Sequence, residues 1–159
     1  MSAWRGTGDD WYLAQAEALA GKTHCEPGPN AMNDANDLNI SQTYLELYES
    51  GKAGQYKPTQ LILDSLIKNY NPEKIEWSWC DALFMAPPTW ARMGKITGNQ
   101  KYFEHMDKLW WQTCDLIFDK NAWFVILSSM RIGHRRIHVV SLLNLFQGSC
   151  SIQPDFRKA

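Results

Sequence analysis

The sequence predicts an all-α domain of antiparallel helical hairpins. Up to Asp119, apolar residues recur at helical spacing in about five or six segments, and short loops separate these segments. None of these segments shows the alternating pattern of a strand. Since 45% of the 159 residues are hydrophobic, the chain can fill a core, and we expect one compact domain.

The first two predicted helices flank a loop rich in proline and glycine. Residues 9–20, DDWYLAQAEALA, are good helix formers with an acidic first turn. The loop follows at residues 21–33. Residues 34–50 predict the second helix, which either Asp34 or Asn36 can cap. Its apolar face comprises Ile40, Tyr44, Leu47 and Tyr48.

Two further helices are predicted before residue 90. Residues 58–70 begin with a proline, which suits the first position of a helix, and their inward residues are Leu63, Leu66 and Ile67. Residues 77–88, WSWCDALFMAPP, predict a helix that ends at the proline pair or is followed there by a new helix beginning at Pro88. TWARMGKITG completes this part of the chain.

A long amphipathic helix is predicted over residues 99–119. Asn99 can cap it, and the apolar positions recur with the period of a helix. The predicted apolar face comprises Phe103, Met106, Leu109, Trp110, Cys114 and Ile117.

Several chemistries have no support in the sequence. There is no phosphate-binding glycine loop, HExxH or GxSxG motif. The cysteines lack zinc-type spacing and predict buried free thiols: Cys25, Cys80, Cys114 and Cys150. The histidines are scattered and are expected as surface or capped residues: His24, His105, His134 and His138. Without a membrane-span pattern or signal peptide, a cytoplasmic location is expected.

The remaining candidates for chemistry are carboxylates among aromatic residues. Asp81 lies between Trp79 and Phe84, and removal of a carboxyl from water raises its pKa, which suits a general acid. Asp37 is the best candidate for a second acid nearby. Paired acids beside aromatic rings are typical of enzymes that cleave sugars. The alternative is structural: both aspartates cap helices, and Trp77 and Trp79 fill the core.

Residues 6–124 resemble glycoside hydrolase families 88 and 105, the unsaturated glycuronyl and rhamnogalacturonyl hydrolases. WSWCDALFMAPP is similar to the family pattern W-x-W-C-D-x-L-F-M-A-P-P, and TGNQKY and the later WW pair follow it. NDLNISQTY is similar to D-D-x-x-I-G-Q-T-Y. The resemblance implies an (α/α)6 barrel, here partial, and removal of the unsaturated uronic acid that lyases leave on oligosaccharides.

The resemblance also implies the site residues and the mechanism. Asp81 would be the catalytic acid that protonates the sugar C4=C5 bond, and Asp37 the second acid. Trp79 and Met85 would line the sugar pocket, and Gln42 would support the Asp37 helix. The family reaction involves no metal or organic cofactor. The chain departs from the pattern at Asn36, where the family often has an acid, and at Ser41, where it has glycine.

The resemblance stops after Phe124. Residues 1–124 contain 11 Lys and Arg against 16 Asp and Glu, whereas residues 125–159 contain 5 against 1 and no tryptophan. We expect a partial hydrolase domain at 1–124 and a non-family tail at 125–159, which loss of one base in the Phe124 codon could explain. The N-terminus also appears to begin inside the domain.

Two expectations concern partners. The leading hypothesis is a hydrolase that binds an unsaturated uronyl oligosaccharide, with no nucleic acid or membrane as partner. The alternative is an inactive fragment or pseudoenzyme with at most sugar- or protein-binding ability. Helical faces that lack neighbours predict self-association. A basic amphipathic helix at RRIHVVSLLNLF, for a membrane or nucleic acid, is the least favoured interpretation.

Overall fold

The computed structural model describes residues 1–32, 34–119, 124–132 and 135–140, with side chains described as far as Ile117. The helices are α1 Ser2–Thr7, α2 Asp10–Thr23, α3 Ala35–Asn39, α4 Ser41–Glu49, α5 Lys57–Lys68, α6 Ala82–Met85, α7 Pro87–Thr97 and α8 Lys101–Ile117. The strands are β1 Phe118–Asp119, β2 Phe124–Ile132 and β3 Arg135–Val140.

The helical prediction is confirmed for residues 2–117, and a small sheet follows. The order of its antiparallel strands is β1-β2-β3. The sequence analysis did not predict these strands, although FVILSSMRI contains the β-branched and aromatic residues that favour them. The helix proposed for RRIHVVSLLNLF is wrong at residues 135–140, which form β3; the rest of that segment lies outside the described residues, as do His134 and Cys150.

Side-chain caps set the beginnings of two helices as the sequence predicts. The carboxylate of Asp9 accepts a hydrogen bond from the backbone amide of Trp11 (2.9 Å) at the start of α2. Asn99 accepts one from the amide of Lys101 (3.1 Å) at the start of α8. Each bond satisfies an amide that has no partner within its helix.

The predicted helix over residues 34–50 is divided into α3 and α4 at Ile40. Asp34 caps α3, and Ile40 keeps right-handed helical angles, so the chain changes direction without leaving the helical region. Tyr44 and Leu47 are buried as predicted, but Tyr48 is 41% exposed. Its ring instead packs against that of Tyr56, with centroids 4.8 Å apart.

The predicted helix over residues 77–88 is wrong for its first half. Only α6, a single turn, is helical before the proline pair. Side chains of α8 hold the preceding segment in an extended path: Thr113 donates to the carbonyl of Trp77 (2.9 Å), and Gln112 donates to that of Pro72 (3.0 Å). Backbone groups satisfied in this way gain nothing from a helix.

Two hydrophobic clusters meet at α4. The larger cluster joins α4, α5, α7 and α8 and includes Leu45, Leu63, Trp90, Tyr102 and Leu109. The smaller cluster joins α4 to α2 and includes Leu13, Ala20, Cys25, Tyr44 and Leu47. Because α4 contributes to both clusters, it is buried on two sides.

Ion pairs join α7 to α4 at the surface of this packing. Arg92 binds Glu46 and Glu49, and the Lys95 ammonium lies 2.8 Å from Glu49. Burial raises the pKa of Glu49, but hydrogen bonds from Lys95 and Arg92 outweigh burial and the net shift is downward. These contacts keep Glu49 ionised at the α4–α7 contact.

The buried face of α8 differs from the predicted one. Leu109 and Ile117 are buried, but Trp110 is 37% exposed, and the other buried positions are Tyr102, His105, Thr113 and Leu116. His105, expected at the surface, lies between Tyr70 and Trp90, with ring centroids 5.2 and 5.0 Å away. Burial lowers its pKa and nearby Lys108 adds to the effect, so the imidazole is neutral.

Replacement of Gly54 by alanine tests the close approach of the loop after α4. The added Cβ would lie 2.2 Å from the Tyr44 carbonyl oxygen and 2.4 Å from the Tyr48 nitrogen, which are backbone atoms of a buried helix. We expect Gly54→Ala to lower the free energy of unfolding by about 1–3 kcal/mol in urea titrations.

Gly21→Ala is the matched control for this variant. A Cβ at Gly21 meets nothing within 4 Å, and alanine favours α2, so its stability should equal or exceed the parent's by up to about 1 kcal/mol. Equal stability of Gly54→Ala and the parent would contradict the packing described for this loop.

Candidate active site

An open pocket of about 250 Å³ lies where the start of α3 meets the segment leading into α6. Its lining residues are Asp34, Ala35, Asn36, Glu76, Ser78, Trp79, Asp81 and Ala82. Three of these residues carry carboxylates and one carries an indole. An aromatic face beside acidic groups suits a sugar, whose C–H face packs on a ring while its hydroxyls bind acceptors.

Asp81 lies at the N-cap of α6, yet its carboxylate does not cap the helix. The side chain makes no capping hydrogen bond, whereas the backbone carbonyl accepts bonds from the amides of Phe84 (2.9 Å) and Met85 (3.0 Å). The expectation of an Asp81 carboxyl enclosed by aromatic rings is wrong, because Asp81 is exposed and Phe84 is 79% exposed. The carboxylate is therefore open to a ligand in the pocket.

Asp37 binds the neighbouring loop and does not line the pocket. Its carboxylate accepts a hydrogen bond from the backbone amide of Asn30 (2.8 Å), and its backbone carbonyl accepts one from Gly28 (3.0 Å). A Cβ at Gly28 would lie 2.5 Å from the Asp37 Cγ, so this close contact needs glycine. The structure thus brings the Asp37 helix to the pocket while the Asp37 carboxylate holds the loop; its role as second acid stays a prediction.

Asp34 lies at the pocket and caps α3. One of its oxygens accepts hydrogen bonds from both the backbone amide and the side-chain amide of Asn36, each 2.8 Å long. The sequence offered Asp34 as a cap, and this prediction is confirmed. Asp34 therefore has a structural use that Asp81 lacks.

Glu76 is the pocket residue that the sequence analysis missed. It is half-buried, whereas Asp34 and Asp81 are exposed. It also borders a smaller space lined by Ala31, Met32, Leu38, Leu66 and Trp77. Burial raises the pKa of Glu76, and Lys74 opposes the shift only in part. Its place directly before WSWCD was the available signal, but a glutamate after a lysine and an isoleucine resembles a surface residue.

Gln42 connects the two sides of the pocket. Its side-chain nitrogen donates to the Asn39 side-chain oxygen on α3 (2.6 Å) and to the Met85 carbonyl at the end of α6 (2.8 Å). The structure thus places Gln42 where it holds α3 relative to the turn that carries Asp81. Gln42 positions the pocket walls and does not line the pocket.

The two other predicted sugar-binding residues differ in position. Trp79 lines the pocket with 47% of its surface exposed, which leaves an indole face open to a ligand. Met85 is half-buried and is not among the lining residues. Its binding contribution stays a prediction, whereas its carbonyl is the acceptor for Gln42.

The described residues show no other obvious ligand centre. Among them, no group of three or more His, Cys, Asp or Glu side chains is arranged to hold a metal ion. Within the same part of the chain, no helix is both long and apolar enough to cross a membrane.

Comparison with known proteins first defines the fold. A solved structure described as a polysaccharide lyase superposes with a TM-score of 0.68 over 80% of this chain and 40% of its own, at 19% sequence identity. At this identity the likeness concerns the fold alone. It supports the helical-barrel class, of which this chain contains a part.

The chain belongs to Glycosyl Hydrolase Family 88, whose sequence profile matches residues 1–124. Two curated relatives, from Alteromonas sp. (strain LOR) and Formosa agariphila, are both named unsaturated 3S-rhamnoglycuronyl hydrolase. The first is 31% identical over 140 residues, covering 74% of this chain and 34% of its own; the second is 31% identical over 103 residues, covering 56% and 27%. The chain therefore spans about a third of the length of these relatives.

Replacement of Asp37 tests whether its carboxylate holds the loop. Asp37→Ala removes the acceptor for the Asn30 amide, and we expect the free energy of unfolding to fall by about 1 kcal/mol. Asp37→Asn keeps an acceptor oxygen and should lose less. Urea unfolding of both variants measures this, and an unchanged stability of Asp37→Ala would contradict the structural role.

Replacement of Glu76 by glutamine tests its raised pKa. The folded protein holds a proton on Glu76 above the ordinary value of 4.5, where the unfolded chain has released it. Stability should therefore fall as the pH rises from about 4.5 through the pKa of the folded state. Glu76→Gln removes this part of the fall.

The exposed Glu73 provides the control. Unfolding of the parent, Glu76→Gln and Glu73→Gln is measured between about pH 4.5 and 7.5. Glu73→Gln should follow the parent, whereas Glu76→Gln should gain stability relative to the parent as the pH rises. The same pH dependence in all three proteins would contradict the raised pKa.

Proposed function

We propose that this chain represents a hydrolase that removes an unsaturated uronic acid from the end of a lyase-generated oligosaccharide. Family membership supports a glycosidic bond as the target. The relatives' names support a uronate linked to rhamnose, of the rhamnogalacturonan or a related type. The observation that carries the proposal is the Asp81 carboxylate, which opens onto the pocket without capping its helix.

Asp81 is the proposed general acid and base. Protonated Asp81 transfers its proton to C4 of the C4=C5 double bond, and water adds at C5 as the carboxylate accepts a proton from it. The resulting hemiketal opens to a ketone at C5. The hemiacetal left at C1 then releases the remaining sugar as an alcohol. One water is consumed, and Asp81 regains its proton.

The neighbouring groups have defined tasks in this proposal. Trp79 supplies a ring face for the sugar, which also shields the reacting carbons from bulk water. Asp34 and Asn36 present oxygen and nitrogen atoms to sugar hydroxyls at the start of α3. Gln42 keeps this wall in register with the Asp81 turn.

A second candidate is a protein that binds such a sugar without turning it over. The observation that favours it is the length of the chain, about a third of its curated relatives. A partial barrel offers one wall of the pocket described here, and the openness of Asp81 to solvent fits that arrangement. Binding without loss of the double bond would distinguish this candidate.

Asp81→Asn is the direct test of the hydrolase. The ultraviolet absorbance of the conjugated double bond is followed with unsaturated uronyl–rhamnose disaccharides, and the parent chain should consume it. Because an amide cannot transfer the proton, Asp81→Asn should lower the rate by about a hundredfold or more. The control is Asp107→Asn on α8, outside the pocket, which should keep the parental rate.

Two results decide between the candidates. A parental rate in Asp81→Asn would overturn the role of this residue. Binding of the disaccharide by the parent, with no loss of absorbance under any condition, would favour the non-catalytic candidate.

A further inference from the structure

We propose that Glu76 is the second acid of the Asp81 pocket and that it carries a proton when an anionic uronate binds there. This inference rests on the proposed function, since it concerns the charge of that substrate. It assigns to Glu76 a place that the sequence pattern assigned to Asp37. Glu76 acts here as a substrate-recognising group, whereas Asp81 performs the proton transfer.

The position of Glu76 between two spaces supports the inference. Glu76 lines the open pocket together with Asp81, and it also lines the smaller space whose other walls include Leu38, Leu66 and Trp77. One side of the glutamate thus meets the ligand space and the other meets apolar side chains. Asp37 lines neither space, and its carboxylate already binds the Asn30 amide.

The charge of the pocket makes the protonation state of Glu76 important. Asp34 and Asp81 face the same space, so ionised Glu76 would be the third carboxylate around an entering uronate. Like charges at such distances repel, and each lost negative charge favours the ligand. A protonated Glu76 removes one charge and can donate a hydrogen bond to the uronate carboxylate.

The groups around Glu76 favour its neutral form. Burial raises its pKa, and the nearby Lys74 counteracts this only in part. Tyr70, which follows α5, lies close enough for Glu76 to raise the pKa of the phenol after burial has done so. Asp34 and Asp81 across the pocket disfavour a further negative charge. A uronate carboxylate would add to this preference.

The consequence is a binding reaction that takes up a proton. At a pH below the pKa of Glu76 the group is already neutral and affinity is independent of pH. Above that pKa, each bound uronate must bring a proton to Glu76, so affinity falls by up to about tenfold per pH unit. The neutral analogue of the ligand should show a much weaker dependence.

Calorimetric titration with an unsaturated uronyl–rhamnose disaccharide tests the proposal. Asp81→Asn serves as the parent, so that the ligand persists, and the titrations use buffers of different ionisation enthalpy between about pH 5 and 8. The parent should lose affinity as the pH rises and take up a proton on binding. Glu76→Gln, which mimics the neutral acid, should bind with little pH dependence and take up less.

Two controls separate recognition from general electrostatics. Glu73→Gln removes a nearby exposed carboxylate outside the pocket and should behave as the parent. The same disaccharide with its carboxylate reduced to an alcohol should bind without proton uptake. Melting curves of each variant at each pH establish that the compared proteins are folded.

The outcomes separate this inference from the proposed function. Binding whose pH dependence and proton uptake are the same in the parent and in Glu76→Gln overturns the role of Glu76 and leaves the proposed hydrolase intact. An absence of binding in every folded variant at every pH overturns both. Loss of the parental pH dependence in Glu76→Gln alone supports the inference.

Discussion

The hydrogen bond from the Gln42 side chain to the Met85 carbonyl (2.8 Å) is the constraint on which the candidate site depends. In an uninterrupted helix that carbonyl would accept from the amide of Thr89, but the Thr89 amide donates to Ala86 instead (3.0 Å). The proline pair interrupts the helix and frees the carbonyl. Gln42 satisfies it and, through its bond to Asn39, joins α3 to the turn of Asp81.

A second set of side-chain bonds places the acid that the sequence pattern did not reveal. Thr113 and Gln112 of α8 bind the carbonyls of Trp77 and Pro72, so the segment between these residues follows α8 instead of forming a helix. Glu76 lies on this segment with buried Trp77 beside it. Its half-burial is thus a result of how α8 packs, and burial in turn raises its pKa.

The surface of the chain is consistent with a domain that has further partners for its helices. Large apolar side chains are exposed on different elements, among them Leu61 (69%), Phe84 (79%) and Trp111 (49%). Water contact with such side chains is unfavourable, and their burial against additional helices or a second copy would stabilise the fold. Self-association remains the prediction that the sequence supports.

The sequence by itself determined the helical class, the caps at Asp9, Asp34 and Asn99, and the family, because these depend on local patterns. Only the tertiary structure decided which acids share a pocket. Asp37 was expected beside Asp81, but its carboxylate binds the Asn30 amide, while Glu76 reaches the pocket through an extended segment. Helical periodicity assigns a residue to a face, whereas contacts from distant helices decide which backbone groups need partners and which carboxylates stay open to a ligand.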